Sequence, residues 1–182
     1  MKVSNKEYNL IKKQIEREPD NLLEIAKYCP FSYPAVLIVK PYENSIVFPT
    51  TYWLSCPYFV KEVSKIEDKG LIQKLTSKLK NDREFRLTLK KAHKNYAKKR
   101  LEYLDKNLED LPDGIRDVLV NSGVGGIIDK EGVKCLHTHL ADYLVNGLNP
   151  VGEIVFNKLD WPDSCDICSK LMNKEKGGSQ WK

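Results

Sequence analysis

The first regular pattern of apolar and polar positions predicts a helix near the start of the chain. Apolar residues recur at helical spacing from Tyr8 to Ile15. Ser4, followed three residues later by Glu7, fits a capping box, in which each residue satisfies a backbone N–H of the other's turn. We therefore predict a first helix over residues 4–17.

The next segments change from helical to extended patterns. Leucine, isoleucine and alanine positions predict a short second helix over residues 21–27, which Pro30 would end. The β-branched and aromatic runs 35–39 and 45–48 flank a turn-forming segment and suggest a hairpin. Residues 50–54 have the composition of a third strand. We expect a small antiparallel sheet here.

The middle of the chain is predicted to be helical from residue 58 to about residue 108. Breaks are expected at residues 68–70 and near Asp82, which is a plausible N-cap of a long helix. A further helix is predicted over residues 133–145. The apolar stripe of the long helix consists of Phe85, Leu89, Ala92, Tyr96 and Tyr103.

These elements predict a single α+β domain, mostly helical, with the antiparallel sheet confined to residues 34–55. A chain of 182 residues is long enough to bury its own apolar core. We expect one domain over residues 1–172 and a flexible C-terminal tail over residues 173–182, where two adjacent glycines occur.

The composition of the chain helps to predict where in the cell the protein is located. The chain is 41% apolar and 30% charged, as in globular proteins. Its N-terminal sequence lacks the apolar core of a signal peptide, and its longest aliphatic run, residues 35–39, is far shorter than the roughly 20 residues that cross a bilayer. We therefore expect a soluble, cytoplasmic protein with no membrane association.

The cysteines supply the candidate chemistry. In a reducing cytosol, cysteines serve as buried apolar residues, nucleophiles, redox pairs or metal ligands rather than as structural disulfides. Four segments of this chain could converge on one metal centre. The predicted ligands are Cys29, Cys56, Cys135, His139, Cys165 and Cys168.

The geometry of the predicted last helix favours one histidine over the other. On a regular helix Cys135 and His139 lie on the same face, whereas His137 points away. Zinc binds thiolates and imidazole in tetrahedral geometry, and four thiolates would equally hold an iron–sulfur cluster. We expect zinc, with the cluster as the alternative. We expect the metal to be mainly structural, because four protein ligands close its coordination shell, whereas three thiolates with an open position would favour catalysis.

A cysteine enzyme acting on a small anionic substrate is a competing hypothesis. Cys135 or Cys56 would be the nucleophile, and His137 or His93 the base. The glycine-rich segment 123–126 could offer backbone N–H groups to an anion, although it lacks the lysine and serine of a P-loop. The groups predicted to transfer protons or bind the anion are His93, Tyr96, Arg100 and His137.

Charge suggests a third function. The net charge is +5, but residues 74–100 contain eleven Lys or Arg and two acidic residues, a local charge of +9. A basic helix from Lys74 to Arg100 could bind nucleic acid or an acidic partner, although a solvated helix face explains the same pattern. No recognised nucleic-acid motif accompanies it.

Six short motifs, taken in order, carry a resemblance to a known family. They are Cys-Pro-Phe-x-x-Pro from Cys29, Phe-Pro-Thr-x-Tyr-Trp-Leu-x-Cys-Pro from Phe48, His-x-x-Tyr-x-x-x-Arg from His93, Gly-Val-Gly-Gly from Gly123, Val-Lys-Cys-Leu-His from Val133 and Asn-Pro-Val-Gly from Asn149. Together they make residues 28–165 resemble a bacterial family catalogued as domain of unknown function 501. The resemblance implies no activity. It does imply that Cys29, Cys56, Cys135 and His137 form one site, which adds weight to His137, so both histidines are retained as candidates.

Overall fold

The N-terminal helix forms where its capping signals are strongest. The computed structural model describes residues 3–173. Helix α1 (Asn5–Ile15) begins at Ser4, whose side chain accepts a hydrogen bond from the N–H of Glu7, while the Glu7 carboxylate accepts one from the N–H of Ser4. The predicted capping box and helix are therefore confirmed, and the helix buries Leu10 and Ile11.

A three-stranded antiparallel sheet follows α1, with the strand order β1-β2-β5. Its strands are β1 (Leu22–Tyr28), β2 (Pro34–Val39) and β5 (Tyr52–Leu54). All six residues of β2 are buried. A central strand of this kind needs hydrogen-bonding partners on both edges, and β1 and β5 supply them.

Two predictions in this region are wrong. Residues 21–27 are not a helix, because they pair along β2 from Leu22 opposite Val39 to Tyr28 opposite Pro34, with three register shifts along the pairing. The run 45–48 does not pair with β2 either. Instead, β3 (Tyr42–Glu43) and β4 (Ile46–Val47) form a separate two-residue ladder, and the predicted third strand, β5, takes the place beside β2.

Helices account for most of the remaining chain. The predicted breaks after residue 68 and at Asp82 are confirmed, and Asp82 caps α4 by accepting a hydrogen bond from the N–H of Phe85 at 2.9 Å. A single-turn 3-10 segment, Val124–Gly126, replaces the predicted glycine-rich connection. The helices are α2 (Pro57–Asp68), α3 (Leu71–Asn81), α4 (Arg83–Glu102), α5 (Asp113–Asn121), α6 (Leu136–Asn146), α7 (Pro150–Leu159) and α8 (Ile167–Asn173).

The main apolar core lies between β2 and the helices α2, α3, α4, α6 and α7. Each fully buried Val, Leu, Ile or Phe stabilises the fold by about 1.5–3 kcal/mol. The residues at its centre are Ala35, Phe59, Val63, Leu89, Leu136, Leu140, Val151 and Val155. The architecture is a helix-rich α+β domain with a small antiparallel sheet, as predicted, although the sheet also includes β1 and so extends beyond the predicted residues 34–55.

Two further predictions concern the C-terminal tail and membrane association. Of the predicted flexible tail, Asn173 is the last residue of α8, and the rest lies outside the described residues. No helix within residues 3–173 combines the length and apolar character that crossing a lipid bilayer requires.

Candidate metal centre

Cys135 lies at the entrance to α6 rather than inside the helix. It is the N-cap residue, with extended backbone angles of φ −141° and ψ 119°, and the helix begins at Leu136. The predicted helix over residues 133–145 therefore starts three residues too early. Because Cys135 is outside the helix, the helical spacing that would have placed its thiol beside His139 does not apply.

The extended backbone at Cys135 instead brings its thiol to His137. The Cys135 Sγ lies 3.8 Å from the Nδ1 of His137. Glu67, in the last turn of α2, completes the group, with its Oε2 at 3.4 Å from the same Nδ1. All three ligand atoms lie within 4.8 Å of one another, and the three residues are partly buried. Among the described residues, this is the one group of three or more Cys, His, Asp or Glu with that spacing.

The hydrogen-bond partners of the other ring nitrogen of His137, Nε2, determine which nitrogen carries the proton. Its Nε2 lies 3.1 Å from the carbonyl oxygen of Val60 and 3.3 Å from the hydroxyl of Ser64. The Ser64 hydroxyl donates its own hydrogen to the Val60 carbonyl, so both neighbours act as acceptors. The Nε2 must therefore carry a hydrogen, which leaves the Nδ1 lone pair of the neutral ring facing Cys135 and Glu67.

Helices α2 and α6 are joined by a further contact at this centre. The second carboxylate oxygen of Glu67 accepts the N–H of Leu136 at 2.7 Å, which is one of the unpaired amides in the first turn of α6. Since Val60, Ser64 and Glu67 recur at helical spacing, one face of α2 supplies the hydrogen-bond partners of the His137 Nε2 and of the Leu136 N–H.

The surroundings of Cys135 and His137 shift the pKa values of these two groups in opposite directions. Burial alone would raise the pKa of the Cys135 thiol, but hydrogen bonds from His137 and Thr138 outweigh it, so the pKa lies below its usual value. Burial alone would lower the pKa of His137, but contacts with Cys135, Val60 and Glu67 reverse the direction and raise it. The shift of Cys135 reflects hydrogen-bond donors around its sulfur, and the shift of His137 reflects acceptors at both of its ring nitrogens.

A cavity of about 670 Å³ opens beside His137 and Thr138. Its walls come from the end of α1, from β5 and from the first turns of α2. Two cationic side chains, Arg17 and Lys61, line it, and the guanidinium of Arg17 stacks over the ring of Trp53 at 4.3 Å. The centre therefore lies next to a space that a small molecule could enter.

The other two histidines lie in the core. The Nδ1 of His93 accepts the N–H of Val124 at 3.1 Å, and the Nδ1 of His139 contacts the Asn149 amide at 3.0 Å. Their rings are 6.0 Å apart, and both Nε2 atoms are buried without a hydrogen-bond partner among the described residues. His139 is thus held by Asn149, the N-cap of α7, and is not part of the group around Cys135.

Tyr96 and Arg100, which the sequence suggested as catalytic groups, use their polar atoms on the backbone. The hydroxyl of Tyr96 accepts the N–H groups of Thr51 and Tyr52, at 2.7 and 3.2 Å. Arg100 is fully buried and donates to backbone carbonyls. These contacts tie α4 to the start of β5 and to the end of α5. A catalytic role for either residue stays a prediction.

The remaining cysteines belong to another part of the molecule. Cys29 begins the turn after β1, and Cys56 is the N-cap of α2. Cys165 lies just before α8, and Cys168 lies in its first turn. All are free thiols, and Cys56 and Cys168 are buried. The residues expected to form one centre therefore lie in two places. Cys135 and His137 are at one of them, and these four cysteines are at the other.

The basic stretch forms the outer faces of α3 and α4. Lys78 and Lys99 pair with the nearby acids Asp82 and Glu102, whereas Arg100 points into the core. The exposed cations are Lys74, Lys78, Lys80, Arg83, Lys90, Lys91, Lys94 and Lys98. The structure thus provides a positive surface, and the proposed acidic or nucleic-acid partner stays a prediction.

Sequence reasoning missed Glu67. An acidic residue near the end of a charged helix has no distinctive local pattern, and its partners are about 70 positions further along the chain. The available signal was the predicted helix end at residues 68–70. The last turn of that helix, α2, lies beside the start of α6.

Comparison with known proteins gives one result. Neither the curated proteins nor the solved structures contain a match. A family model described as "Protein of unknown function (DUF501)" matches residues 25–157, which run from within β1 to within α7 and include all three residues of the centre. The chain therefore belongs to the family of proteins of unknown function DUF501.

Proposed function

We propose that the protein binds a zinc ion through Glu67, Cys135 and His137. The proposal rests on the three ligand atoms, which surround a point that requires positive charge. A carboxylate and a thiol both face the Nδ1 lone pair of an imidazole whose proton is held at Nε2. A cation between them would satisfy all three groups at once, because a thiolate, a carboxylate and an imidazole lone pair each attract positive charge.

The distances favour a metal ion over a proton. A charge-assisted N–H···O bond is about 2.7–2.9 Å long, and one proton on Nδ1 could serve only one of its two anionic neighbours well. Tetrahedral zinc, with bonds of about 2.0–2.3 Å, holds neighbouring ligand atoms about 3.3–3.6 Å apart. The separations of 3.4 and 3.8 Å are close to the edges of that tetrahedron.

The surrounding hydrogen bonds also suit a metal centre. A zinc-bound histidine commonly donates its other N–H to a carbonyl, and a zinc-bound carboxylate is usually hydrogen-bonded through its second oxygen. Val60 and the N–H of Leu136 fill these roles. Three protein ligands leave the fourth position to water, which is the arrangement of catalytic zinc, and the cavity beside His137 would give a substrate access to it.

The competing function uses the same residues without a metal. Cys135 would act as a nucleophile, with its thiol at the N-terminus of α6, and Glu67 would hold His137 as the base. The observation that favours it is the lowered pKa of Cys135. Its weakness is geometric, because the Sγ–Nδ1 distance of 3.8 Å is long for a thiolate–imidazolium pair.

Zinc content tests the proposal. We expect purified wild-type protein to hold one zinc ion per chain at this centre, and Cys135→Ser or Glu67→Gln to lower the zinc content by one. Glu67→Gln can still accept the N–H of Leu136, so the fold should survive, which far-UV circular dichroism would check. Glu62→Gln, on the same helix and paired with Lys65, is the matched control and should keep its zinc.

Two results would refute zinc binding here. One is wild-type protein that contains no zinc and takes none up from a micromolar solution. The other is folded Cys135→Ser protein with the full wild-type zinc content. If the metal-free wild type instead shows a Cys135 that iodoacetamide alkylates rapidly at neutral pH, the nucleophile function is favoured.

A further inference from the structure

Four cysteines outside the zinc centre are brought together by three segments of the chain. Cys29 and Cys56 pack in the same apolar cluster, whose buried members include Ala35 and Phe59. The side-chain amide of Gln14 links the third segment to it, because it donates to the carbonyl of Pro34 and also lies 3.3 Å from the Cys168 sulfur.

A cavity places Cys165 beside the same segments. This space, of about 610 Å³, is lined by Cys165 together with Phe31 and Tyr58. Phe31 is two residues after Cys29, and Tyr58 is two residues after Cys56. The turn after β1, the start of α2 and the approach to α8 therefore meet around one site, with a cysteine on each.

The thiols also interact electrostatically. Burial raises the pKa of Cys56 to about 11, and the neighbouring Cys29 and Cys168 add to the increase. Burial raises the pKa of Cys168 as well, with further contributions from Cys29 and Cys165. These mutual influences show that the four sulfurs are neighbours in the fold.

We propose that Cys29, Cys56, Cys165 and Cys168 hold a four-iron iron–sulfur cluster, separate from the zinc centre. Cysteine thiolates are the usual ligands of such clusters. Among the described residues, no three of these sulfurs lie within 4.8 Å of one another. A single tetrahedral zinc would draw its sulfurs to about 3.8 Å apart, whereas a cluster carries its thiolates on the corners of a larger body.

The local structure is suited to cluster binding. Cys56 precedes Pro57 at the start of α2, where the backbone N–H groups of Tyr58 and Phe59 point toward its sulfur. Cys29 lies in a tight turn closed by hydrogen bonds with Tyr33 and Ser32. Amide groups directed at thiolate sulfur and an apolar surrounding are the features by which proteins stabilise these clusters.

Anaerobic purification or reconstitution of the full chain with ferrous iron and sulfide tests the proposal. We expect about four iron and about four acid-labile sulfide per wild-type chain, together with a broad visible charge-transfer absorption. The double variant Cys165→Ser/Cys168→Ser should lose most of the iron. The matched control Cys135→Ser should keep the iron while it loses zinc, so the two metal centres are assayed independently.

Wild-type protein that stays colourless after reconstitution would overturn the cluster, as would zinc without sulfide at these cysteines. Iron retained in full by the double variant would also overturn the assignment of ligands. Because the first measurement uses unmodified protein, a variant that fails to fold would not obscure the result.

Discussion

Arg100 provides a sharp test of how the fold is held together. It is fully buried, and within the described residues it has no acidic partner. Its Nε donates to the carbonyl of Pro49 at 2.9 Å, and its two terminal nitrogens donate to the carbonyls of Leu119, Ser122 and Gly123 at 2.8–3.1 Å. We therefore predict that Arg100→Lys destabilises the protein although it preserves the charge.

The magnitude follows from the number of carbonyls. A lysine ammonium is a single point of contact, and it cannot reach both the Pro49 carbonyl on one side and the three carbonyls at the end of α5 on the other. At least two hydrogen bonds from a charged donor would be lost, each contributing about 1.5 kcal/mol at the lower end of the usual range. The free energy of unfolding should fall by about 3 kcal/mol, a large part of the roughly 5–15 kcal/mol that is typical of a domain.

Urea unfolding followed by far-UV circular dichroism measures this change. Arg83→Lys, an exposed position on the same helix, is the control and should change the stability by less than about 0.5 kcal/mol. A loss below about 1 kcal/mol for Arg100→Lys would contradict a structural role for the guanidinium. The zinc content of the folded variant should be unchanged.

Two further predictions concern the core. A Cβ added at Gly123 would lie 2.5 Å from the Nδ1 of His93, so Gly123→Ala should lower the stability by about 1–3 kcal/mol; Gly114→Ala meets no atom within 4 Å and should be neutral or stabilising in the same urea assay. Burial lowers the pKa of His93 to about 4 and of His139 to about 3, and it raises the pKa of Asp142 to about 6. Between about pH 6 and pH 5 the unfolded chain therefore binds two more imidazole protons and one fewer carboxyl proton than the folded chain. The free energy of unfolding should fall by about 1.4 kcal/mol per pH unit on acidification, and a flat profile would contradict this balance.

Local signals in the sequence predicted the elements that they directly control. The capping box of α1 and the helix ends before Gly70 and Asp82 depend on residues within a turn of the backbone that they cap. The strand β1 was predicted as a helix because its apolar spacing fits either state. Its pairing with the fully buried β2 decides the outcome, and that pairing joins residues that lie 6 to 17 positions apart in the chain.

The candidate centre could be predicted only in part, because its geometry also depends on contacts between distant segments. The sequence identified Cys135 and both nearby histidines, but the choice between them depended on where α6 begins. An extended Cys135 selects His137 as its neighbour, and the packing of α2 against α6 then adds Glu67. Neither the extended N-cap nor a helix–helix contact across 70 positions leaves a periodic pattern in the chain.

The irregular pairing of β1 has a consequence for how copies of this protein behave in solution. β1 is an edge strand of the sheet, and its register with β2 shifts at three places. A flat edge offers a continuous row of free amides and carbonyls to a second molecule, whereas a bulged edge twists these groups out of line. We therefore expect the irregular edge at β1 to be a poor template for edge-to-edge aggregation.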